Sequence, residues 1–273
     1  MIKCIASDLD GTLLYNGKLS DNNYKAIKLL QEKGIEFVIA TGRNITEVKM
    51  LDFKDLKFLK VLVNGSIVTD ENFNILSKTY LNLDEVTYLQ KIVEREKVGA
   101  IFYGPVNRYG FNIDLMIESF KNSIRDKDVF GNGFLYGLIE IKDVNEIKED
   151  ICKCEIMDGM RYDLLENIKK EILNDKLLEP TSSDKNNVEV LSKNVNKYVG
   201  LKKLMDIKGY KKEEVAVFGD SDNDFALFEN MVESYAMGNG NDNVKSHAKY
   251  VVDTCANDGF YKGVKKILQH DIF

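Results

Sequence analysis

Histidine and cysteine, the residues from which many metal sites and nucleophile–base pairs are built, are scarce in this 273-residue sequence: two of one and four of the other. So little histidine disfavours a His-based catalytic triad or a His-rich metal centre. The four cysteines are Cys4, Cys152, Cys154 and Cys255. Only one residue separates Cys152 from Cys154, and only His247 and His270 are available to complete a zinc set. The expectation is reduced thiols in a cytoplasmic protein. No apolar run approaches the ~18 residues that a membrane span needs, and charge arrives already at Lys3, too early for a secretory leader. No membrane partner is expected. Basic residues are outnumbered, 38 against 44 acidic for a net charge of −6, which argues against a nucleic-acid groove. The 44% hydrophobic content is enough for a core, and the length suggests about two domains.

Carboxylate is what the sequence has in quantity, so the useful question is where it clusters. The first 70 residues alternate short buried-strand patterns with helical ones. Ile2 to Ser7 and Ile35 to Ala40 are nearly continuous apolar runs, as parallel strands are. Val61 to Val63 is a third, closed by Asn64-Gly65. Between the first two, Ser20 offers an N-cap to a helix that Gly34 ends. The last third repeats the pattern, with a helix over Lys197–Lys208 ended by Gly209, a strand over Val215–Phe218, and short strands over Ser234–Met237 and Tyr250–Val252. Such units call for a parallel sheet with right-handed crossovers.

The middle differs. Helices over Asp84–Lys97 and Arg161–Leu173 and strands over Gly99–Tyr103, Arg108–Ile113, Leu135–Ile141 and Ile151–Met157 are joined by connections too short for crossovers, which predicts antiparallel pairing. The fold expected is α/β: a Rossmann-like, doubly wound parallel sheet core, residues 1–83 plus 186–273, with an α+β cap inserted over 84–185.

Two acidic constellations follow predicted strands. In Asp8-Leu9-Asp10-Gly11-Thr12, two carboxylates two residues apart both project beyond the strand's carboxyl end, the edge where open α/β sheets bind ligands. Gly11 permits a sharp turn there. In Gly219-Asp220-Ser221-Asp222-Asn223-Asp224, three carboxylates lie within five residues. They either complement the dipole of a following helix or surround a hard divalent cation, and beside Asp8 and Asp10 the cation is favoured. Thr41-Gly42, between a strand and a helix, supplies a hydroxyl and amides fit for an anion. Lys197 opens a helix and carries a positive charge.

These segments resemble the haloacid dehalogenase superfamily of phosphotransferases. Asp8-x-Asp10-Gly11-Thr12 looks like its first motif, Thr41 its second, Lys197 its third and Gly219-Asp220-x-x-Asn223-Asp224 its fourth, in the family's order. Among subfamilies the chain looks most like the Cof-type phosphatases (subclass IIB), whose cap lies between the second and third motifs. Val63-Asn64-Gly65, Ala236-Met237-Gly238-Asn239 and Asp258-Gly259 extend the match through the core, about two thirds of the chain. Tyr198, where the family tends to have a small residue, and Asn239-Gly240, where it often has Asn-Ala, depart from the pattern.

The resemblance implies a cytoplasmic, Mg²⁺-dependent phosphatase acting on small phosphorylated metabolites, sugar phosphates or similar, with selectivity set by the cap. It implies that Asp8 is the nucleophile, forming an aspartyl phosphate, and that Asp10 is the general acid and then the base. Leu9 and Gly42 through their amides, Thr41, Lys197 and Asn223 are implied phosphate-binding residues. Asp8, Asp10 through its carbonyl, Asp220 and Asp224 in support are the implied metal set. The alternatives are a sugar-phosphate mutase on the same core and a catalytically idle phosphometabolite sensor; the second of these would predict loss of Asp8, Asp10 or Lys197, all of which are present.

Overall fold

The structure is a computed structural model, and it describes residues 1–121, 135 and 137–270. The chain divides into two compact units, one made of Met1–Lys78 and Asn196–Phe273, the other of Thr79–Val195.

The first unit is built on an eight-stranded sheet. Its strands run, in spatial order, Tyr250–Val251, Glu233–Ala236, Val215–Gly219, Cys4–Ser7, Glu36–Ala40, Leu59–Leu62, Ile67–Thr69 and Ile75–Lys78. The first six are parallel; the last two fold back antiparallel as a hairpin at the edge. Cys4–Ser7 sits at the centre, with Val215–Gly219 on one side and Glu36–Ala40 on the other, and all three are apolar on both faces because helices cover both. On one face Val38, Val61, Ala6 and Val217 pack against Leu201, Leu204 and Met205 of the helix Lys197–Lys208 and against Leu227 and Phe228. On the other, Phe37 and Phe218 meet Phe260 of the helix Gly259–His270 edge-on, at centroid distances of 5.7 and 5.0 Å. Ser20 caps the helix Asp21–Glu32 as its sequence position predicts, accepting from the Asn23 amide at 3.1 Å. The central parallel strands therefore end side by side, and their carboxyl ends present Asp8, Thr41 and Asp220 from three neighbouring strands.

The second unit has a six-stranded sheet ordered Leu138–Ile141, Arg108–Phe111, Gly99–Tyr103, Lys153–Met157, Asn187–Ser192 and Leu178–Thr181, antiparallel except for its first pair. One face packs under the helices Leu83–Glu96 and Tyr162–Asp175 through Leu89, Ile92, Phe102, Cys154, Ile156, Leu165, Ile168 and Val190. Of the strand expected over Leu135–Ile141, Leu138–Ile141 forms, and Tyr136 lies outside the described residues.

The expected boundary at 186 moves. Residues 186–195 belong to the second unit, because Asn187–Ser192 pairs on both sides within that sheet, with Lys153–Met157 and with Leu178–Thr181. Its register leaves Glu189 buried and paired to Lys153 at 2.6 Å, a polar pairing inside the sheet that the sequence pattern alone does not reveal. At the other end the second unit starts at Thr79 rather than at Asp84. Among the described residues no helix is long and apolar enough to cross a membrane.

Candidate active site

Asp8 is the first residue past the central strand, and its amide still donates to the Phe218 carbonyl of the neighbouring strand at 3.0 Å. That bond fixes the carboxyl at the sheet edge, where it is only 5% exposed. One of its oxygens accepts from Lys197 Nζ at 2.6 Å, and the same ammonium donates to an Asp224 oxygen at 2.7 Å. Lys197 itself is fully buried in the first turn of its helix, capped by Asn196 accepting from the Val199 amide. A cation at the amino end of a helix opposes the helix dipole, so its presence there reflects the two carboxylates. Lys202, on the same helix, instead pairs at the surface with Asp206.

Asp8, Asp220 and Asp224 form one acidic cluster, each offering an oxygen that lies within 4.8 Å of the others. Asp220 accepts from the Thr12 hydroxyl at 2.6 Å. Asp224 is fully used: one oxygen takes Lys197, the other takes the amides of Asp220 and Ser221 at 2.9 and 3.2 Å. Two buried carboxylates thus share one ammonium, with the half-buried Asp220 beside them. Burial, only partly opposed by Lys197 and reinforced by Asp224 and Asp220, holds the Asp8 carboxyl well above the usual carboxylate range. Burial and then the charge of Asp224 push Asp220 up to about 7. For Lys197 burial acts downward, but Asp224 and Asp8 outweigh it and the ammonium is held above its ordinary value. An all-oxygen donor set short of positive charge fits a hard divalent cation.

Gly11 has a φ of +81°, and a Cβ there would stand 2.4 Å from an Asp220 carboxylate oxygen. The glycine therefore admits Asp220 to the turn; its own amide donates to the Leu14 carbonyl. The far side of this turn is tied down by Asn239, whose side-chain amide donates to the Gly11 carbonyl at 2.9 Å while its oxygen accepts from the Cys255 amide.

The other expected residues fall around this cluster in different ways. Leu9 is buried, and its carbonyl gathers the amides of Thr12, Leu13 and Leu14. Thr41 is buried at the end of the adjacent strand, its amide on the Val61 carbonyl and its hydroxyl oxygen accepting from the Arg43 amide at 3.2 Å, with Gly42 between them. Asn223 is buried in the short turn Asp222–Asp224 and accepts from the Ser221 hydroxyl. Asp10 does not place its carboxylate in the acidic cluster. It turns outward, and Arg43 grips both of its oxygens at 2.7 Å.

Three contributors carried no role in the sequence reading. Arg43 and Asn239 act on residues 33 and 228 positions away, a relation that no local pattern encodes. Thr12 stood inside the first motif, so its hydroxyl was visible but its target was not.

Residues 5–264 match the haloacid dehalogenase-like hydrolase family. The chain is 33% identical over 268 residues to the 5-amino-6-(5-phospho-D-ribitylamino)uracil phosphatase YcsE of Bacillus subtilis, covering 97% of this chain and 95% of that protein. It is 29% identical over 285 residues to a second B. subtilis phosphatase of the same description, YwtE, covering 98% of each. Among solved structures, a haloacid dehalogenase-like hydrolase from B. subtilis superposes with a TM-score of 0.87 at 24% identity, covering 97% of this chain and 99% of that one. A subclass IIB sugar phosphatase does so with a TM-score of 0.80 at 22% identity, covering 97% and 98%; both are likenesses of fold. With its acidic cluster at the carboxyl ends of the central strands, and with a match over nearly its whole length, this chain belongs to the haloacid dehalogenase-like hydrolase family of phosphatases.

Proposed function

We propose that the protein is a Mg²⁺-dependent phosphatase of small phosphorylated metabolites, sugar phosphates and related phosphorylated polyols, working through a phosphoryl group carried on Asp8. The observation that supports this most is the setting of Asp8: buried at the end of the central strand, with Lys197 on one oxygen and Asp220 and Asp224 beside it.

In this reading an Asp8 oxygen bonds to phosphorus as the bond from phosphorus to the leaving alcohol breaks, and Asp10 gives that alcohol its proton. Asp10 then takes a proton from water as the water oxygen attacks phosphorus, and the Asp8–phosphorus bond breaks to free phosphate. The two-pronged grip of Arg43 suits the ionised Asp10, its state as base. As acid, Asp10 must exchange one of those bonds for substrate. Lys197, the Thr41 hydroxyl, Asn223 and the amides of Leu9 and Gly42 hold the phosphate oxygens.

Asp8, Asp220 and the Asp10 carbonyl would hold Mg²⁺, while Asp224, with both oxygens taken, orients Lys197 and the Asp220 loop. When bound, the cation supplies the charge that offsets both the carboxylates and the phosphate. A further result follows from the raised Asp220. Its folded value of about 7 lies above the ordinary 3.8, so the folded metal-free protein holds a proton there that the unfolded chain gives up. That contribution to stability is present below the unfolded value and is lost as pH rises through about 7. Mg²⁺ competes with the same proton. Thermal unfolding should therefore show a larger Mg²⁺-induced rise in Tm at pH 8 than at pH 5.5; an equal rise at both would contradict this placement of the cation.

The substrate class is supported by the name of the B. subtilis relative, whose substrate carries its phosphate on a ribityl chain, and by the sugar phosphatase of similar fold. The test is phosphate release from a panel of phosphorylated sugars, polyols and that ribityl compound, with Mg²⁺ present. Release from one or a few members is expected. No release from any member would sink the proposal, and sugar-phosphate isomerisation without release would make the protein a mutase.

Selectivity is assigned to the second unit, Thr79–Val195. Replacing it by a short flexible linker should flatten the preference among sugar phosphates while sparing hydrolysis of p-nitrophenyl phosphate, since every group given a chemical role lies in the first unit. A folded, linker-bearing protein that keeps the full preference would overturn that assignment.

A further inference from the structure

The turn Val63-Asn64-Gly65 has three successive residues with positive φ, +48°, +51° and +98°. A β-branched residue such as Val63 is rarely found there, and a conformation of this kind persists only where the surroundings over-determine it. Two constraints are visible on each side. Toward the neighbouring strand, the Val63 amide donates to the Arg43 carbonyl at 3.0 Å and the Asn64 amide to the Thr41 carbonyl at 2.9 Å, which ties the turn to the loop that carries Thr41. Toward the helix Lys197–Lys208, backbone meets backbone. A Cβ on Gly65 would lie 2.1 Å from the Asn196 carbonyl oxygen, and one on Gly200 would lie 2.7 Å from Gly65 Cα and 2.5 Å from Val61 Cγ1.

Asn196 and Gly200 flank Lys197, one at the helix cap and the other a turn along. The Gly65–Gly200 approach thus sets how closely the helix lies against the turn, and with it how far the Lys197 ammonium reaches toward Asp8. Glycine is otherwise a poor choice inside a helix, so its presence at position 200 marks the contact. The geometry points to Gly65 and Gly200 as positioning residues for Lys197: the left-handed turn, anchored on the Thr41 loop, fixes the helix at the depth that puts Nζ 2.6 Å from Asp8 and 2.7 Å from Asp224. This rests on the reading of Lys197 as a phosphate-binding group.

The experiment is a double-mutant cycle on p-nitrophenyl phosphate hydrolysis with Mg²⁺, joining Gly200→Ala and Lys197→Ala, with thermal unfolding measured alongside. Alanine favours helix, but a Cβ this close to Val61 and Gly65 overpacks the contact, so the unfolding measurement separates lost stability from a misplaced Lys197. Displacing the helix by a fraction of its diameter should lower kcat by about 10²-fold in the otherwise native enzyme. In the Lys197→Ala background, where there is no ammonium left to misplace, the same substitution should change kcat by less than ~3-fold. Adding Val61→Ala, which removes the carbon that a Gly200 Cβ would strike first, should return part of the lost kcat. If Gly200→Ala alone does not fold, the cycle is run with Val61→Ala/Gly200→Ala against Val61→Ala. An equal loss in both backgrounds, or near-normal kcat for folded Gly200→Ala, would overturn the positioning role. Lys197→Ala with full activity would instead overturn the phosphate-binding reading, and the positioning role with it.

Discussion

Replacing Asp8 by asparagine is expected to abolish turnover on every phosphate ester, by at least ~10⁴-fold, since no other group stands where the nucleophile must be. The amide keeps the shape of the side chain and a hydrogen-bond acceptor for Lys197, so the variant should fold. Asp10→Asn is expected to behave differently, because the Asp10 side chain is outside the acidic cluster and in the proposed mechanism handles only the proton, while its backbone carbonyl is unchanged by the substitution. On alkyl phosphates, whose leaving group needs protonation, the loss should be about 10²–10⁴-fold. On p-nitrophenyl phosphate, whose leaving group needs little, the phosphorylation step should survive in Asp10→Asn and fail in Asp8→Asn. A single-turnover burst of nitrophenol distinguishes them. Equal losses for Asp10→Asn on good and poor leaving groups would contradict the division of labour.

Lys197→Ala is expected to act on both stability and rate. The ammonium is fully buried and is shared by two carboxylates. Removing one partner from a buried ion pair leaves charge without compensation, at about 3–5 kcal/mol in the metal-free protein. Protonation of Asp8 or Asp220, both already displaced upward, absorbs part of this. Mg²⁺ should restore much of the Tm and little of the rate. With the metal present kcat should still fall by ~10²-fold or more, the scale of a lost transition-state donor. Lys202→Ala, at a surface pair with Asp206, should leave kcat within about 2-fold, as surface pairs contribute little. Near-normal turnover in Lys197→Ala beside a damaging Lys202→Ala would show that the wrong lysine has been assigned.

The core of the fold was legible because its signals are local. Cys4–Ser7, Glu36–Ala40 and Val215–Gly219 are nearly continuous apolar runs, and each is followed by a polar residue that lands on the sheet edge. The helix Lys197–Lys208 carries an apolar face at Leu201, Leu204 and Met205 and is ended by Gly209, so the place of Lys197 in its first turn followed. The pair Leu178–Thr181 and Asn187–Ser192 was not legible. Pro180 stands inside the first strand, where proline is tolerated only because that strand is at the sheet edge, and in the second the alternation Asn187-Val188-Glu189-Val190 lasts four residues before Leu191 ends it. The hairpin Ile67–Thr69 and Ile75–Lys78 escaped for another reason: the first strand is buried but only three residues long, and the second, at the sheet edge, faces solvent along its length and carries little apolar pattern. In the site, the acidic residues announced themselves by clustering after strands. What stayed hidden was tertiary: that Asp10 faces Arg43 rather than the other carboxylates, and that a strained turn at Val63–Gly65 abuts the helix of Lys197.

The covalent step is the centre of this account, and it is open to direct trapping. The enzyme with Mg²⁺ is mixed with p-nitrophenyl phosphate, quenched in acid within milliseconds, digested and read by mass spectrometry. The predicted result is one added phosphoryl group on the peptide bearing Asp8, accumulating further in Asp10→Asn and absent from Asp8→Asn. Phosphorylation of any other residue, or a label that persists in Asp8→Asn, would contradict the mechanism.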